Sequence, residues 1–207
     1  MYARRTLVDV EQGRIRELVT FVEQRVRLLA EALEGNTGLT MLTDRRSGRG
    51  VVTTIWGTEP AMHASVSPVG AVLDEAAGRF GATPVSEEFR IAELHRLREG
   101  EPGFWSRSTR FEFAPADADL VVDTYRTTTV PPLDLLPGFC SAALFVDRRS
   151  GRGVSTVTFD SHAALVSSRT PIQEIRQVSA DKAQARVGES LELEVAITAM
   201  NMPREAR

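Results

Sequence analysis

Residues 44–51 read DRRSGRGV, and residues 147–154 repeat the same letters 103 positions later. At that offset the match spreads outward through Gly35/Gly138, Thr53/Thr156, Trp56/Phe159, Ala61/Ala164, Ser65/Ser168, Pro68/Pro171 and Ala77/Ala180. A match of this extent marks two tandem copies of one unit. A solenoid would need a shorter period and at least three repeats. A chain of 207 residues also has the length for two units of about 100 residues each. The expected division is a first unit over 1–98, a linker over 99–106 carrying Gly-Glu-Pro-Gly, a second unit over 107–200 and a polar tail over 201–207.

Within the first copy the hydrophobic period changes in a fixed order. Residues 3–10 are rich in bulky apolar residues and read as a strand. Ile15, Leu18, Val19, Val22, Val26, Leu29 and Leu33 then recur at helical spacing up to Gly35. Residues 38–44 and 50–56 flank the RRSGRG turn as a hairpin. A helix in two pieces follows over 59–80, interrupted near Pro68, and residues 85–94 close the unit as a strand.

The second copy repeats this plan. A strand is expected over 110–114, and a helix from Asp117 that Pro131 and Pro132 stop near Thr129. Hairpin strands over 139–146 and 154–159 precede a helix over 172–185. Leu191, Leu193, Val195 and Ile197 then alternate with polar residues in the last strand. The fold class is therefore α+β: two β-α-β-β-α-β, ferredoxin-like units. Two helices cover only one face of a four-stranded sheet, so the two sheets are expected to cover each other within one chain. That arrangement predicts a monomer acting as a pseudodimer.

Composition excludes several classes. A net charge of −3 recruits neither nucleic acid nor an anionic membrane. Cys140 is the only cysteine, so there is no disulfide framework, and a cytoplasmic location is expected. No apolar run reaches the length of a membrane span. The three histidines have no metal-ligand spacing, so neither metal nor cofactor is expected.

The element order, with Trp56 ending the third strand ahead of a short helix holding His63, resembles the dimeric α/β barrel superfamily. Within it the antibiotic-biosynthesis-monooxygenase type is nearest. Such proteins pair two chains into one barrel, whereas here both halves are fused. The resemblance implies a small-molecule monooxygenase acting on an aromatic substrate without a cofactor. The same fold also carries non-catalytic ligand-binding or structural proteins, and haem-binding or haem-degrading ones. Haem-degrading relatives carry an asparagine on the first strand, and residues 3–10 have none.

Trp56 and His63 are the candidate catalytic pair: an indole wall for a planar ligand beside an imidazole base. The resemblance adds Arg90 on the fourth strand as a holder of an oxyanion. The competing reading makes Trp56 core, His63 a surface helix residue and Arg90 an exposed strand charge. At the 103-residue offset Trp56 becomes Phe159 and His63 becomes Val166, so ligand chemistry is expected in the first copy. His162 takes the place of Glu59 and does not repeat His63. The arginines of the two turns are read as exposed, with anion capture as the alternative. Cys140, on an apolar strand, is expected to be an inert core thiol.

Overall fold

The structure is a computed structural model that describes residues 1–200. The expected polar tail lies outside the described residues. In the first copy, β1 (Tyr2–Asp9) leads into α1 (Ile15–Phe21), a π-helical stretch (Val22–Arg27) and α2 (Leu28–Ala32). The hairpin β2 (Asn36–Asp44) and β3 (Arg49–Trp56) follows, then α3 (Glu59–Ala64), α4 (Val66–Phe80) and β4 (Val85–Arg96). The second copy runs β5 (Trp105–Glu112), α5 (Ala118–Thr124), a π-helical stretch (Tyr125–Thr129) and α6 (Val130–Leu133). It closes with β6 (Phe139–Asp147), β7 (Arg152–Phe159), α7 (His162–Ser167), α8 (Arg169–Ala183) and β8 (Arg186–Met200).

The eight strands form a closed barrel in the order β1-β3-β2-β8-β5-β7-β6-β4. Closure leaves no edge strand, which removes the unpaired backbone that a lone four-stranded sheet presents. Packing divides the described residues into two compact units, Met1–Glu88 with 195–200, and Phe89–Glu194. The duplicated segments, which we propose as 1–98 and 107–200, are a different division of the same chain. The last strand of each copy begins in one compact unit and ends in the other.

Local signals are shared by the copies. Thr58 and Ser161 each cap the following short helix, accepting from the amides of Ala61 and Ala164. Both long helices break after six residues, at Ser65 and Ser168, and Pro68 falls inside the first turn of α4, where a missing N–H costs nothing.

Two sequence boundaries are corrected. The strand expected at 110–114 is β5, beginning at Trp105, because its polar run of Ser106, Arg107, Ser108 and Thr109 is buried and partnered. Pro131 and Pro132 do not stop the second-copy helix. They sit in the first turn of α6, directly after the π-helical stretch, where proline is tolerated.

In the first unit, apolar residues of β1–β3 and the end of β8 pack under α1 and α4, with Leu18, Phe21, Val22, Leu39, Met41, Val52 and Phe80 at the centre. The corresponding layer of the second unit is built on Val121, Tyr125, Leu133, Leu144, Val157, Phe159 and Ile172.

Candidate functional site

Each unit fastens its first strand to its paired helices with one buried arginine. In the first, Arg4 Nη1 donates to Ser65 Oγ at 2.6 Å and Nη2 to the Met62 carbonyl at 2.8 Å, while Glu88 takes the remaining charge at 2.7 Å. In the second, Arg107 donates to Ser168 Oγ at 3.1 Å and the Leu165 carbonyl at 2.9 Å, and pairs with Glu192 at 2.8 Å. Nothing in composition or periodicity marked these residues. The signal available was the repeat, which places Arg107 opposite Arg4.

The sequence candidates lie around the first of these arginines. Trp56 is completely buried, and its indole N–H donates to Thr54 Oγ1 at 3.1 Å. His63 stands at the surface with half its side chain exposed, 3.2 Å from Glu88. Arg90 is exposed on β4, in register with Val146 of β6. The fold thus brings His63 to the Arg4–Glu88 pair and leaves Trp56 in the interior. His162 packs its ring against Trp105 with centroids 4.3 Å apart. Cys140 is fully buried, and burial pushes its thiol above the ordinary range.

A cavity of about 90 Å³ opens inside the second unit, between the helix-facing side of β5–β8 and the helices α5 and α8. A water-sized group takes roughly 10–15 Å³ in this measure, so the space holds on the order of six to nine such groups. Val121, Leu133, Leu144, Val157, Ile172 and Ile175 are among its apolar lining residues. Neither Trp56, His63 nor Arg90 lines it.

The repeat explains why the second unit is hollow. At the 103-residue offset Thr124 stands where the first unit has Phe21, and Ala183 where it has Phe80. In the first unit those two phenylalanines meet edge to face at 5.7 Å, with the Arg14 and Arg79 guanidinium groups over the Phe80 ring at 5.0 and 5.4 Å. Two rings fill that layer; a threonine and an alanine leave the second one open.

Polar groups enter where the first unit is apolar. Tyr125 replaces Val22, Ser155 replaces Val52, Ser179 replaces Ala76 and Arg176 replaces Leu73. All four line the cavity. Tyr125 Oη and Ser155 Oγ lie 3.2 Å apart. Burial pushes the Tyr125 phenol well above its ordinary range, so it stays protonated and serves as a donor rather than a base. Thr124 Oγ1 is buried without a hydrogen-bond partner. Tyr125 and Thr129 belong to the π-helical stretch, a local widening that recurs at functional sites. No Asp, Glu or His lines the cavity.

Among the described residues no cluster of His, Cys, Asp and Glu could hold a metal ion, and no helix is long and apolar enough to cross a membrane. Haem does not fit the cavity: no histidine or cysteine lines it, and its volume falls far short of a porphyrin.

No family model matches the chain. Among solved structures, an anthrone oxidase-like protein superposes with a TM-score of 0.72 at 16% identity, covering 99% of this chain and 95% of that one. A ferredoxin-fold protein related to antibiotic biosynthesis monooxygenases from Listeria monocytogenes gives 0.51 at 12% identity, covering 97% and 95%. A heme-degrading enzyme from Listeria monocytogenes gives 0.51 at 11%, covering 92% and 98%. At such identities the likeness is one of fold. In sequence the chain is 34% identical to the uncharacterised Mycobacterium tuberculosis protein Rv2557 over 203 residues, covering 98% of this chain and 91% of the relative. It is 34% identical to Rv2558 of the same strain over 204 residues, covering 98% and 86%. The chain therefore belongs to the family of these uncharacterised mycobacterial proteins, and its fold is the antibiotic-biosynthesis-monooxygenase-like α/β barrel with both halves in one polypeptide.

Proposed function

We propose that this protein takes a small aromatic molecule into the cavity of its second unit, as a cofactor-independent monooxygenase. The observation that carries the reading is the hollow itself. Empty space inside a packed interior forfeits dispersion contacts, and the first unit demonstrates that the same scaffold closes it with two phenylalanines. A mostly apolar chamber with a few convergent polar groups is the usual form of a small-molecule site.

In such a reaction a substrate carbanion passes an electron to O2, and the two radicals combine to a hydroperoxide. Loss of water then leaves a carbonyl, so one oxygen atom enters the product and the other leaves as water. The protein's part is to hold the anion, and Tyr125 Oη and the Arg176 guanidinium are the groups in the wall able to do so. A second reading, ligand binding without catalysis, is favoured by one observation: no carboxylate or imidazole lines the cavity to remove a proton from carbon. In place of the first-copy site expected from Trp56 and His63, this proposal puts the ligand in the second copy.

Indole is a neutral probe of suitable size. Titrated by NMR, it is expected to perturb the methyl signals of Leu133, Leu144 and Val157, and Ala183→Phe should weaken it at least tenfold with the fold retained. Trp56→Ala and His63→Ala serve as comparisons and should leave it bound. Loss of indole in these two variants but not in Ala183→Phe would return the site to the first copy. Oxygen uptake with resorcinol separates enzyme from binder: turnover abolished by Ala183→Phe supports the monooxygenase, and none in wild type supports the binder.

A further inference from the structure

Arg176 lies on α8, half-buried, in the wall of a chamber that is otherwise largely apolar. It makes no hydrogen bond or ion pair among the described residues. Its own helix places no carboxylate three or four residues away, those positions being Ile172, Gln173, Ser179 and Ala180. The other guanidinium in the wall, Arg107, is already matched by Glu192, and Glu192 is shared with Arg169 at 2.6 Å. Two arginines thus share one carboxylate, and the guanidinium left without a partner, Arg176, lines the cavity. Burial, and secondarily the Arg107 charge, lower the Arg176 pKa from its ordinary value. A partly buried cation beside another cation is costly unless an anion joins it. The first unit, whose cavity is filled, has Leu73 at this position.

We propose that the ligand is an organic anion, with a carboxylate or an equivalent oxyanion paired to Arg176 and its ring among Val121, Leu133, Leu144 and Val157. A guanidinium offers two parallel N–H groups to a carboxylate, so the pairing fixes the ligand's orientation as well as its charge. This inference rests on the second-unit cavity being the ligand site and adds the charge of the occupant.

Benzoate and benzamide have the same shape and differ in charge, and indole reports on the cavity alone. With the full chain, benzoate is expected to bind at least tenfold more tightly than benzamide. Arg176→Met should abolish that preference while indole still binds, and Arg176→Lys should retain part of it. Indole binding with no preference for benzoate, or a preference that survives Arg176→Met, overturns the anion assignment and leaves the cavity reading standing. Failure of all three probes in the wild-type protein overturns the cavity reading and this inference with it.

Discussion

Glu192→Gln is expected to lower stability by about 3 kcal/mol, the largest effect of any single charge removal in the second unit. Arg107 is only 5% exposed and sits between β5 and the junction of α7 with α8, where water cannot replace a lost partner. Breaking a buried pair by deleting one member typically costs 3–5 kcal/mol, because the remaining charge is stranded. In a chain of this length each kcal/mol moves Tm by roughly 2–4 °C, so a drop of roughly 6–12 °C is expected in a thermal melt followed by circular dichroism. The same residue sets an acid limit. The Arg169 guanidinium first, and then, against the cost of burial, Arg107, hold the Glu192 carboxyl down at about 2, against an ordinary value of 4.5. A carboxylate depressed on folding stabilises the protein above its unfolded pKa, and that contribution is lost as pH falls through the folded value. The wild-type advantage over Glu192→Gln should therefore be complete above about pH 5 and shrink steadily towards pH 2. An advantage that is flat across this window would show that the carboxylate is not ion-paired.

Gly151→Ala is expected to cost several kcal/mol, and Gly48→Ala as much. These glycines occupy the left-handed region, at φ +67° and +77°. Each also carries the carbonyl that accepts from the residue just past the end of the copy's first strand: Phe113 N to Gly151 O at 2.8 Å, and Val10 N to Gly48 O at 2.9 Å. A Cβ at either position would collide with the backbone carbonyl oxygen of that same Phe113 or Val10. Backbone cannot move aside as a side chain can, so the left-handed penalty and the steric one add. The neighbouring arginines predict the opposite result. Arg45, Arg46, Arg148 and Arg149 are exposed, and Arg148 pairs only with Asp119 at the surface. Replacing Arg45 and Arg46 together by Ala should change stability by about 0.5 kcal/mol or less per residue, whereas Arg49, half-buried and paired with Asp9 at 2.9 Å, is left in place. Equal losses from the glycine and arginine variants in chemical denaturation would refute this division. In both copies the Asp, Ser and Gly positions of DRRSGRGV thus have structural roles, the aspartates accepting from the second Arg amide and the Ser hydroxyl.

How much the sequence disclosed depended on what kind of signal a residue leaves. Duplication and element order were plain, because DRRSGRGV repeats verbatim and β-α-β-β-α-β follows from hydrophobic period; the closed barrel satisfies both. Boundaries failed where polar residues are buried. Ser106 falls in the expected linker, and Arg107, Ser108 and Thr109 lie ahead of the expected strand with no apolar period until the fold gives them partners; Pro131-Pro132 looks like a stop until a π-helical stretch restarts the helix just ahead of it. The cavity was harder still, because it is a deficit of volume. Phe21 against Thr124 and Phe80 against Ala183 can be read off at the repeat offset, yet only the packing of α1 on α4 shows that the two phenylalanines fill one space. Trp56 and His63 attracted attention as chemically rich residues, and the fold spends the first on the interior and the second on Glu88.

The central claim is that two copies of one scaffold differ by one being filled and the other hollow. A crystal of the full chain pressurised with xenon, an apolar probe of empty interior space, tests it most directly. The account predicts xenon in the second unit, between Tyr125, Leu144 and Ile172, and none between Phe21 and Phe80. Xenon in the first unit beside Trp56 or Phe80, with the second unit vacant, would contradict it.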